Sequence, residues 1–433
     1  MSSAIAALIG LTVAIVLIIK KLSPVYSLML GALLGGLLSG WGLDGTIGIM
    51  LSGVKDITPA ILRILAAGVL SGVLIKTGAA ASISHSVVNT LGRKHVYLAV
   101  AFSTMLLTGV GVFIDVAVIT VAPIALMLAS KLSLSRASLL LAMIGGGKCG
   151  NIISPNPNTI IAAENYDAPL SSVMATGVIP AIIGLIVTVY LIVPLISKKK
   201  DETLYFEEVK HESLPSFAAS IAGPVVAVLL LALRPICDIS VDPVIALPVG
   251  GIVGLLTTRS WKRSSECISY GLEKMSTVAI LLIGTGTLAG IIKSSEIKDV
   301  LIAMLSGWEG GGVIMAPLSS MLMSAATAST TAGATIASAS FAQTVLGAGV
   351  AAVWGAAMTN AGATVLDHLP HGSFFHATGG SVGMQIKERM RLIPYETLVG
   401  LVLTFLSLGM YYICTIADEM HIVLILKSNI FVN

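Results

Sequence analysis

Long apolar runs alternate with short polar stretches along most of the chain, and this pattern predicts a bundle of membrane-spanning helices. The apolar runs of the first half lie near 4–19, 25–43, 57–76 and 171–195. Those of the second half lie near 217–233, 241–257, 277–292 and 395–416. Two further segments, near 79–93 and 295–306, carry apolar residues on one helical face only, which is typical of a helix in the membrane interface.

Two longer apolar stretches, 96–130 and 311–347, are interrupted by small and polar residues. They predict re-entrant hairpins that enter and leave on the same side of the membrane. Each half then has an odd number of crossings, so the second half is inverted relative to the first. With the N-terminus outside, most of the 25 lysines and arginines fall on the inner side, in agreement with the positive-inside rule.

Two segments, 137–163 and 352–378, place helix breakers and polar residues where a span should be apolar. At one constant offset, identical residues of the two segments correspond: Ala142 with Ala357, Met143 with Met358, Gly147 with Gly362 and Pro155 with Pro370. Interrupted helices in corresponding positions of two halves point to the binding site of a transporter. We therefore expect the two segments to meet.

Together these patterns predict an all-α polytopic membrane protein. It is an inverted repeat of two halves with about ten crossings, two re-entrant hairpins and two broken helices. The first half is 1–195, and its scaffold spans lie within 4–76. A polar, lysine-rich linker, 196–216, is predicted on the cytoplasmic side, and the second half is 217–433.

Composition agrees with this assignment, because 55% of the residues are hydrophobic and only 11% are charged, against about 25% charged in soluble domains. Residues 1–19 lack a basic start and a small-residue cleavage site, so we interpret them as the first span. The four scattered cysteines predict neither a metal site nor a disulfide framework. We expect no cofactor, no bound metal and no nucleic acid partner. An enzyme is not expected either, because neither a His-Glu-x-x-His motif nor paired catalytic aspartates support one.

The first break has the residues of an anion site. Two prolines in the run Ser154–Thr159 keep the helix from closing, and the free N-terminus of a half-helix carries partial positive charge. The alternative is a proline-kinked helix that only packs. The candidate substrate-binding residues of this break are Asn151, Ser154, Asn156, Asn158 and Thr159.

Two charged residues stand alone in apolar sequence. Lys148 would cost about 2.5–3.5 kcal/mol at the centre of a span. It therefore binds a substrate carboxylate, pairs with Asp115, or extends to the membrane surface. Asp115 is predicted to carry a proton or to contact substrate, and the alternative is a carboxylate that caps the hairpin tip.

The second half contributes hydroxyl, amide and titratable groups. Small hydroxyl residues in the second hairpin either bind substrate or a sodium ion, or only allow close helix packing. The candidate substrate-binding residues here are Ser329, Thr330, Thr331, Thr335, Asn360 and Thr364. The candidate coupling residues beside Asp115 are Asp367, His368 and His371, because histidine titrates near neutral pH. The alternative places both histidines at the aqueous end of the half-helix.

At these residues the chain resembles the gluconate permease (GntP) family of the ion transporter superfamily, over nearly its whole length. The motifs that carry the resemblance are Val112–Asp115, Ser154–Thr159, Thr331–Thr335 and Leu366–His371. Asp115 takes the position of the family's acidic residue. Asn156 stands where sugar-acid permeases usually have histidine, and Lys148 has no clear counterpart in them.

The resemblance implies a proton-coupled symporter of the cell membrane that imports gluconate or a related small hydroxy or carboxylic acid. It also implies a homodimer whose scaffold holds a mobile transport domain that moves like an elevator. The alternative within the same class is a sodium-coupled citrate or dicarboxylate transporter. The expected partners are a small organic anion, a proton or sodium ion, membrane lipid and a second copy of the chain.

Overall fold

A computed structural model gives the arrangement of the helices. It describes residues 2–20, 22–91, 95–132, 134–196, 214–237, 239, 241–296, 310–370 and 372–430. All regular structure within these ranges is helical. Most of the predicted linker 196–216 and of the predicted interfacial segment 295–306 lies outside the described residues, as does His371.

The described residues of the first half form eleven α-helices and one π-helical turn, Thr188–Ile192. The first six helices are α1 (Ser3–Ile19), α2 (Pro24–Leu38), α3 (Gly42–Lys76), α4 (Ala79–Leu91), α5 (Val96–Gly109) and α6 (Ile114–Leu132). The next five are α7 (Arg136–Asn151), α8 (Pro157–Asn165), α9 (Leu170–Thr176), α10 (Val178–Val187) and α11 (Val193–Ile196).

The second half begins, after the undescribed stretch, with α12 (Phe217–Cys237), α13 (Pro243–Thr257), a 3₁₀ turn (Trp261–Arg263) and α14 (Ser264–Lys293). The helices that follow are α15 (Gly311–Thr327), α16 (Thr330–Gly347), α17 (Ala352–Gly362), α18 (Ser373–Ser381), α19 (Ile386–Met390) and α20 (Ile393–Ile430). Among the described residues, four stretches are long and apolar enough to cross a membrane: Gly42–Lys76, Leu170–Ile196, Trp261–Lys293 and Ile386–Ile416.

Helices α3 and α14 begin well before the apolar runs that predicted them near 57 and 277. The added turns contain polar and charged residues such as Asp44 and Lys274. These residues are compatible with a helix but lower the local hydropathy. A search of the sequence for apolar runs therefore finds only the apolar part of each helix. The long helices α3 and α14 pack against each other, and α2 and α13 flank them.

Helices α5 and α6, and likewise α15 and α16, pack in pairs joined by short turns. The second turn contains Ala328, which has a φ of 47°, and its neighbour Ser329 caps α16 by accepting a hydrogen bond from the amide of Ala332. That each pair enters and leaves on one side of the membrane stays a prediction, as do the inverted repeat and the crossing count.

A candidate substrate site between two helix breaks

The first broken segment consists of α7 and α8, separated by residues 152–156. Asn156 is the N-cap of α8, and its side-chain oxygen accepts a hydrogen bond from the amide of Thr159 at 3.0 Å. Its amide nitrogen donates to the carbonyl oxygen of Asn151 at 2.8 Å, at the other side of the break. Asn156 therefore satisfies backbone groups of both half-helices, as a break inside a membrane protein requires.

Helix α7 can lie close to α5 because it is rich in glycine. A Cβ atom at Gly146 would collide with the carbonyl oxygen of Ala101. Across this contact Thr104 and Thr108 donate hydrogen bonds to the carbonyl oxygens of Met143 and Gly147, at 2.7 and 2.9 Å. The first hairpin and the first break thus form one tightly packed unit.

The second broken segment consists of α17 and α18, separated by the longer stretch 363–372. Helix α17 ends at Gly362, which packs against α15. A Cβ atom on Gly362 would collide with the carbonyl oxygen of Pro317. The break contains Asp367 and His368, which are 2% and 0% exposed. Two titratable side chains are therefore buried inside a helix interruption.

Amide side chains join the two breaks. Asn158 in α8 donates to the side-chain oxygen of Asn360 in α17 at 3.0 Å, and Asn360 donates to the hydroxyl of Thr159 at 3.0 Å. Thr331, at the tip of the second hairpin, donates to the side-chain oxygen of Asn158 at 3.2 Å. The two halves of the chain therefore meet at their interruptions.

Lys148 pairs with the second break and not with Asp115. Its ammonium group lies 2.7 Å from Oδ1 of Asp367 and 3.1 Å from Nδ1 of His368, and it also contacts the carbonyl oxygen of Thr364. The proposed Lys148–Asp115 ion pair is wrong, because the counter-charge of this buried lysine comes from the opposite half of the chain. The sequence pattern could not reveal a partner so distant along the chain.

A cavity of about 650 Å³ lies where the breaks and hairpin tips meet. Helices α2 and α14 form one wall, and the two hairpin tips and the two breaks form the other. Seven of the sequence-predicted site residues line it: Asp115, Asn151, Asn158, Ser329, Thr330, Thr331 and Asp367. Hydroxyl, amide and carboxylate groups thus converge on one space.

The other described candidates lie behind this lining, in the buried protein around it: Lys148, Ser154, Asn156, Thr159, Thr335, Asn360, Thr364 and His368. Several of them hold the lining in place, as Asn360 holds Asn158. The hydroxyl oxygens of Ser154 and Thr335 are buried without a hydrogen-bond partner in the described part of the chain.

Lys274 in α14 also lines the cavity, and the sequence analysis did not select it. Its side chain is exposed, and its ammonium group lies 5.5 Å from the centre of the Tyr270 ring. Lys274 lies just before the apolar run near 277–292, so the predicted span did not include it. Helix α14 extends further toward the N-terminus than this run and does include it. Asp115, in the opposite wall, accepts a hydrogen bond from the amide of Val116 at 2.9 Å.

Membrane-spanning helices, two helix breaks that meet, and a cavity on which hydroxyl, amide and charged side chains converge define a multi-pass membrane transporter. Residues 3–416 match the model of the GntP family permeases, so the chain belongs to this family.

Several relatives are similar to this chain over most of their length. An uncharacterized transporter of Haemophilus influenzae is 55% identical over 411 residues, which cover 94% of this chain and 97% of that one. A high-affinity gluconate transporter of Escherichia coli is 23% identical over 355 residues, covering 74% and 81%. The D-serine transporter DsdX of Escherichia coli is 21% identical over 354 residues, covering 75% and 79%.

Among solved structures, the YdaH transporter of Alcanivorax borkumensis has a similar fold, with a TM-score of 0.63 and 14% sequence identity. The match covers 87% of this chain and 89% of that one.

Proposed function

We propose that this protein carries gluconate or a related small hydroxycarboxylic acid across the cell membrane together with protons. The observation that carries this proposal is the cavity at the two helix breaks, in which a lysine, two carboxylates and a group of hydroxyl and amide side chains face one space. The named relatives that transport gluconate and D-serine support a small polar substrate with a carboxylate group.

One wall of the lining carries a lysine, and the other carries hydroxyl, amide and carboxylate groups. Lys274 is the one cation among the described lining residues, so we assign it the substrate carboxylate. Across the cavity Ser329, Thr330 and Thr331 offer hydroxyls, and Asn158 offers an amide, for the hydroxyl groups of the substrate. A volume of about 650 Å³ is within the range of small-molecule sites.

The walls also support an elevator mechanism. Helices α2 and α14 belong to a bundle with α3 and α13, whereas the opposite wall belongs to the hairpins and broken helices. A substrate whose hydroxyl groups are held by the hairpins and broken helices would travel with them along α14 when they slide, and it would then leave its contact with Lys274. We further propose that the bundle of α2, α3, α13 and α14 forms the scaffold of a homodimer.

Transport assays with the purified protein in liposomes test the proposal. With an alkaline interior and no sodium, we expect accumulation of gluconate or a smaller hydroxy acid. Lys274→Gln should raise KM about tenfold or more, since a hydrogen bond to a charged group is lost. Lys262→Gln, which changes an exposed lysine outside the cavity, is the matched control.

Two results would contradict the proposal. One is that none of the tested hydroxy acids, dicarboxylates or D-amino acids accumulates under a proton gradient. The other is accumulation that needs a sodium gradient alone, which would favour the sodium-coupled citrate or dicarboxylate transporter instead. An unchanged KM in Lys274→Gln would remove this lysine from the carboxylate site but leave the transport function standing.

A further inference from the structure

His368 lies in a buried polar cluster behind the cavity wall. The cluster joins three parts of the protein: Lys148 comes from α7, Asp367 and His368 come from the second break, and Thr397 comes from α20. The side chains of Lys148, Asp367 and His368 are at most 2% exposed. Charges at this depth persist only when they are paired, so the hydrogen-bond partners of each group constrain where a proton can bind.

The hydrogen bonds of His368 fix its tautomer. Its Nε2 atom lies 3.0 Å from the carbonyl oxygen of Ile393 and 3.1 Å from the hydroxyl of Thr397. A carbonyl oxygen can only accept a hydrogen bond, so Nε2 carries a hydrogen in both the neutral and the charged ring. The proton that His368 gains or loses is therefore the one on Nδ1.

The Nδ1 atom has a partner for each of its two states. Lys148 lies 3.1 Å away and can donate to an unprotonated Nδ1, whereas Oδ1 of Asp367 lies 3.0 Å away and can accept from a protonated Nδ1. Lys148 also donates to Thr364 and Asp367, so it keeps partners after it loses Nδ1. The ring can thus accept a proton without leaving a buried group unpaired.

Asp367 connects this ring to the substrate cavity. Its second oxygen, Oδ2, accepts a hydrogen bond from the hydroxyl of Thr330 at 2.6 Å, and both residues line the cavity. Thr330 begins α16 at the tip of the second hairpin. A proton on Nδ1 draws the negative charge of Asp367 toward Oδ1 and weakens the hold of Oδ2 on the hairpin tip.

The charged groups around the ring are few in the described part of the chain. Lys148 faces it from α7, Asp367 faces it from its own segment, and Glu396 of α20 lies 4.0 Å from Nδ1. Glu396 is itself paired with Arg389, so this second pair is neutral as a whole. With His368 uncharged the whole cluster is neutral, and one added proton makes it positive.

We propose that Nδ1 of His368 is the binding site of the coupling proton, and that Asp367 transmits its occupancy to the second hairpin through Thr330. This inference rests on the proposed proton-coupled transport. It names one residue for the coupling step, and it gives Lys148 the role of holding the unprotonated ring rather than of binding substrate.

The first experiment compares net transport with exchange. His368→Gln cannot take up the proton, so accumulation driven by a pH gradient should fall to the level of protein-free liposomes. Exchange of labelled for unlabelled substrate, which moves no net proton, should continue and lose its dependence on pH. His376→Gln is the matched control, because His376 bonds to Pro370 at the protein surface and does not contact the cluster.

A second variant keeps the proposal testable if His368→Gln does not fold. Thr397→Val retains His368 but removes one hydrogen-bond acceptor from Nε2. Loss of an acceptor disfavours the charged ring, so the pH midpoint of exchange should move to lower pH. A residue with only a structural role would change the rate but not this midpoint.

The outcomes separate the inference from the proposed function. Wild-type-like accumulation under a pH gradient in His368→Gln would overturn the proton site while leaving the function intact, as would an unmoved pH midpoint in Thr397→Val. If the wild-type protein shows no accumulation under a pH gradient, the proposed function fails first. Loss of accumulation with retained exchange supports both.

Discussion

The two broken segments have similar positions in the chain but solve the same physical problem differently. The first break, 152–156, is short, and one side chain, Asn156, satisfies backbone groups on both of its sides. The second break, 363–372, is longer, and its polar groups bond to a lysine of the first segment and to the second hairpin. The backbone groups at the first break are therefore bonded by a side chain of the same segment, whereas the polar side chains of the second break bond to other segments.

Charge is divided between the segments in a complementary way. The first supplies Lys148 from within its helix, and the second supplies Asp367 from within its break. Neither charge would be tolerated alone at this depth. The difference teaches that the two segments need not carry the same residues where they meet, because an ion pair between them requires one charge of each sign.

An arginine contacts the second half-helix of each segment. Glu164 at the end of α8 pairs with Arg63 of α3, whose side chain is 26% exposed. In α18, Thr378 bonds to Arg389, whose side chain is 1% exposed and pairs with Glu396. The first anchor is thus partly solvated, and the second is buried.

The largest expected effect comes from breaking the charge pair between the segments. Lys148→Met leaves Asp367 buried without its main counter-charge, so the free energy of unfolding should fall by about 3–5 kcal/mol. Thermal unfolding of the detergent-purified protein measures this loss. The double variant Lys148→Met with Asp367→Asn should recover part of it, because no isolated charge remains. Equal instability of the single and double variants would show that packing, and not charge, joins the two segments.

The two arginine anchors should differ in strength. Arg389→Gln strands the buried carboxylate of Glu396 and should cost about 3 kcal/mol of stability. Arg63→Gln affects a partly solvated pair and should cost about 1 kcal/mol or less. Unfolding midpoints of the two variants, measured side by side, test this order. Similar losses in both would mean that burial does not distinguish the anchors.

Much of this architecture was predictable because bilayer helices follow simple rules of length and polarity. The positions of both hairpins and both breaks are visible as glycine, proline and polar residues inside apolar sequence. Partners across the two halves were not predictable. Lys148 and Asp367 meet through tertiary packing alone, and Lys274 was missed because an apolar window cut α14 short. Which polar residues face the cavity and which support it depends on side-chain direction within a helix.

The amide bridge between the breaks should have a moderate effect. Asn158→Ala and Asn360→Ala each leave a buried partner unsatisfied and should cost about 1–2 kcal/mol. The double variant should lose less than the sum by about 1 kcal/mol, because the two residues share one hydrogen bond. If the stability loss of the double variant equals the sum of the two single losses, the hydrogen bond between Asn158 and Asn360 does not help to hold the two segments together. Transport should suffer more in Asn158→Ala, since only Asn158 lines the cavity.

The smallest expected effect is a pH dependence confined to the first anchor. Asp242, the N-cap of α13, also bonds to Arg63, at 2.8 Å. Partial burial would raise the pKa of Asp242, but hydrogen bonds from Arg63 and the amide of Val244, with the charge of Arg63, lower it below its ordinary value. Its contribution to stability is therefore complete above the unfolded pKa of about 3.9 and is lost as the pH falls through the lower folded value.

The size of this effect is limited by exposure, since 43% of the Asp242 side chain is accessible and surface pairs contribute at most about 1 kcal/mol. The difference in unfolding midpoint between the wild-type protein and Asp242→Asn should be small at pH 7 and disappear near pH 3. Arg63→Gln should remove most of that difference at every pH, whereas Arg389→Gln should leave it unchanged. If Arg389→Gln also abolishes the pH-dependent difference, the two arginine anchors are coupled. The first segment would then not be held independently of the second.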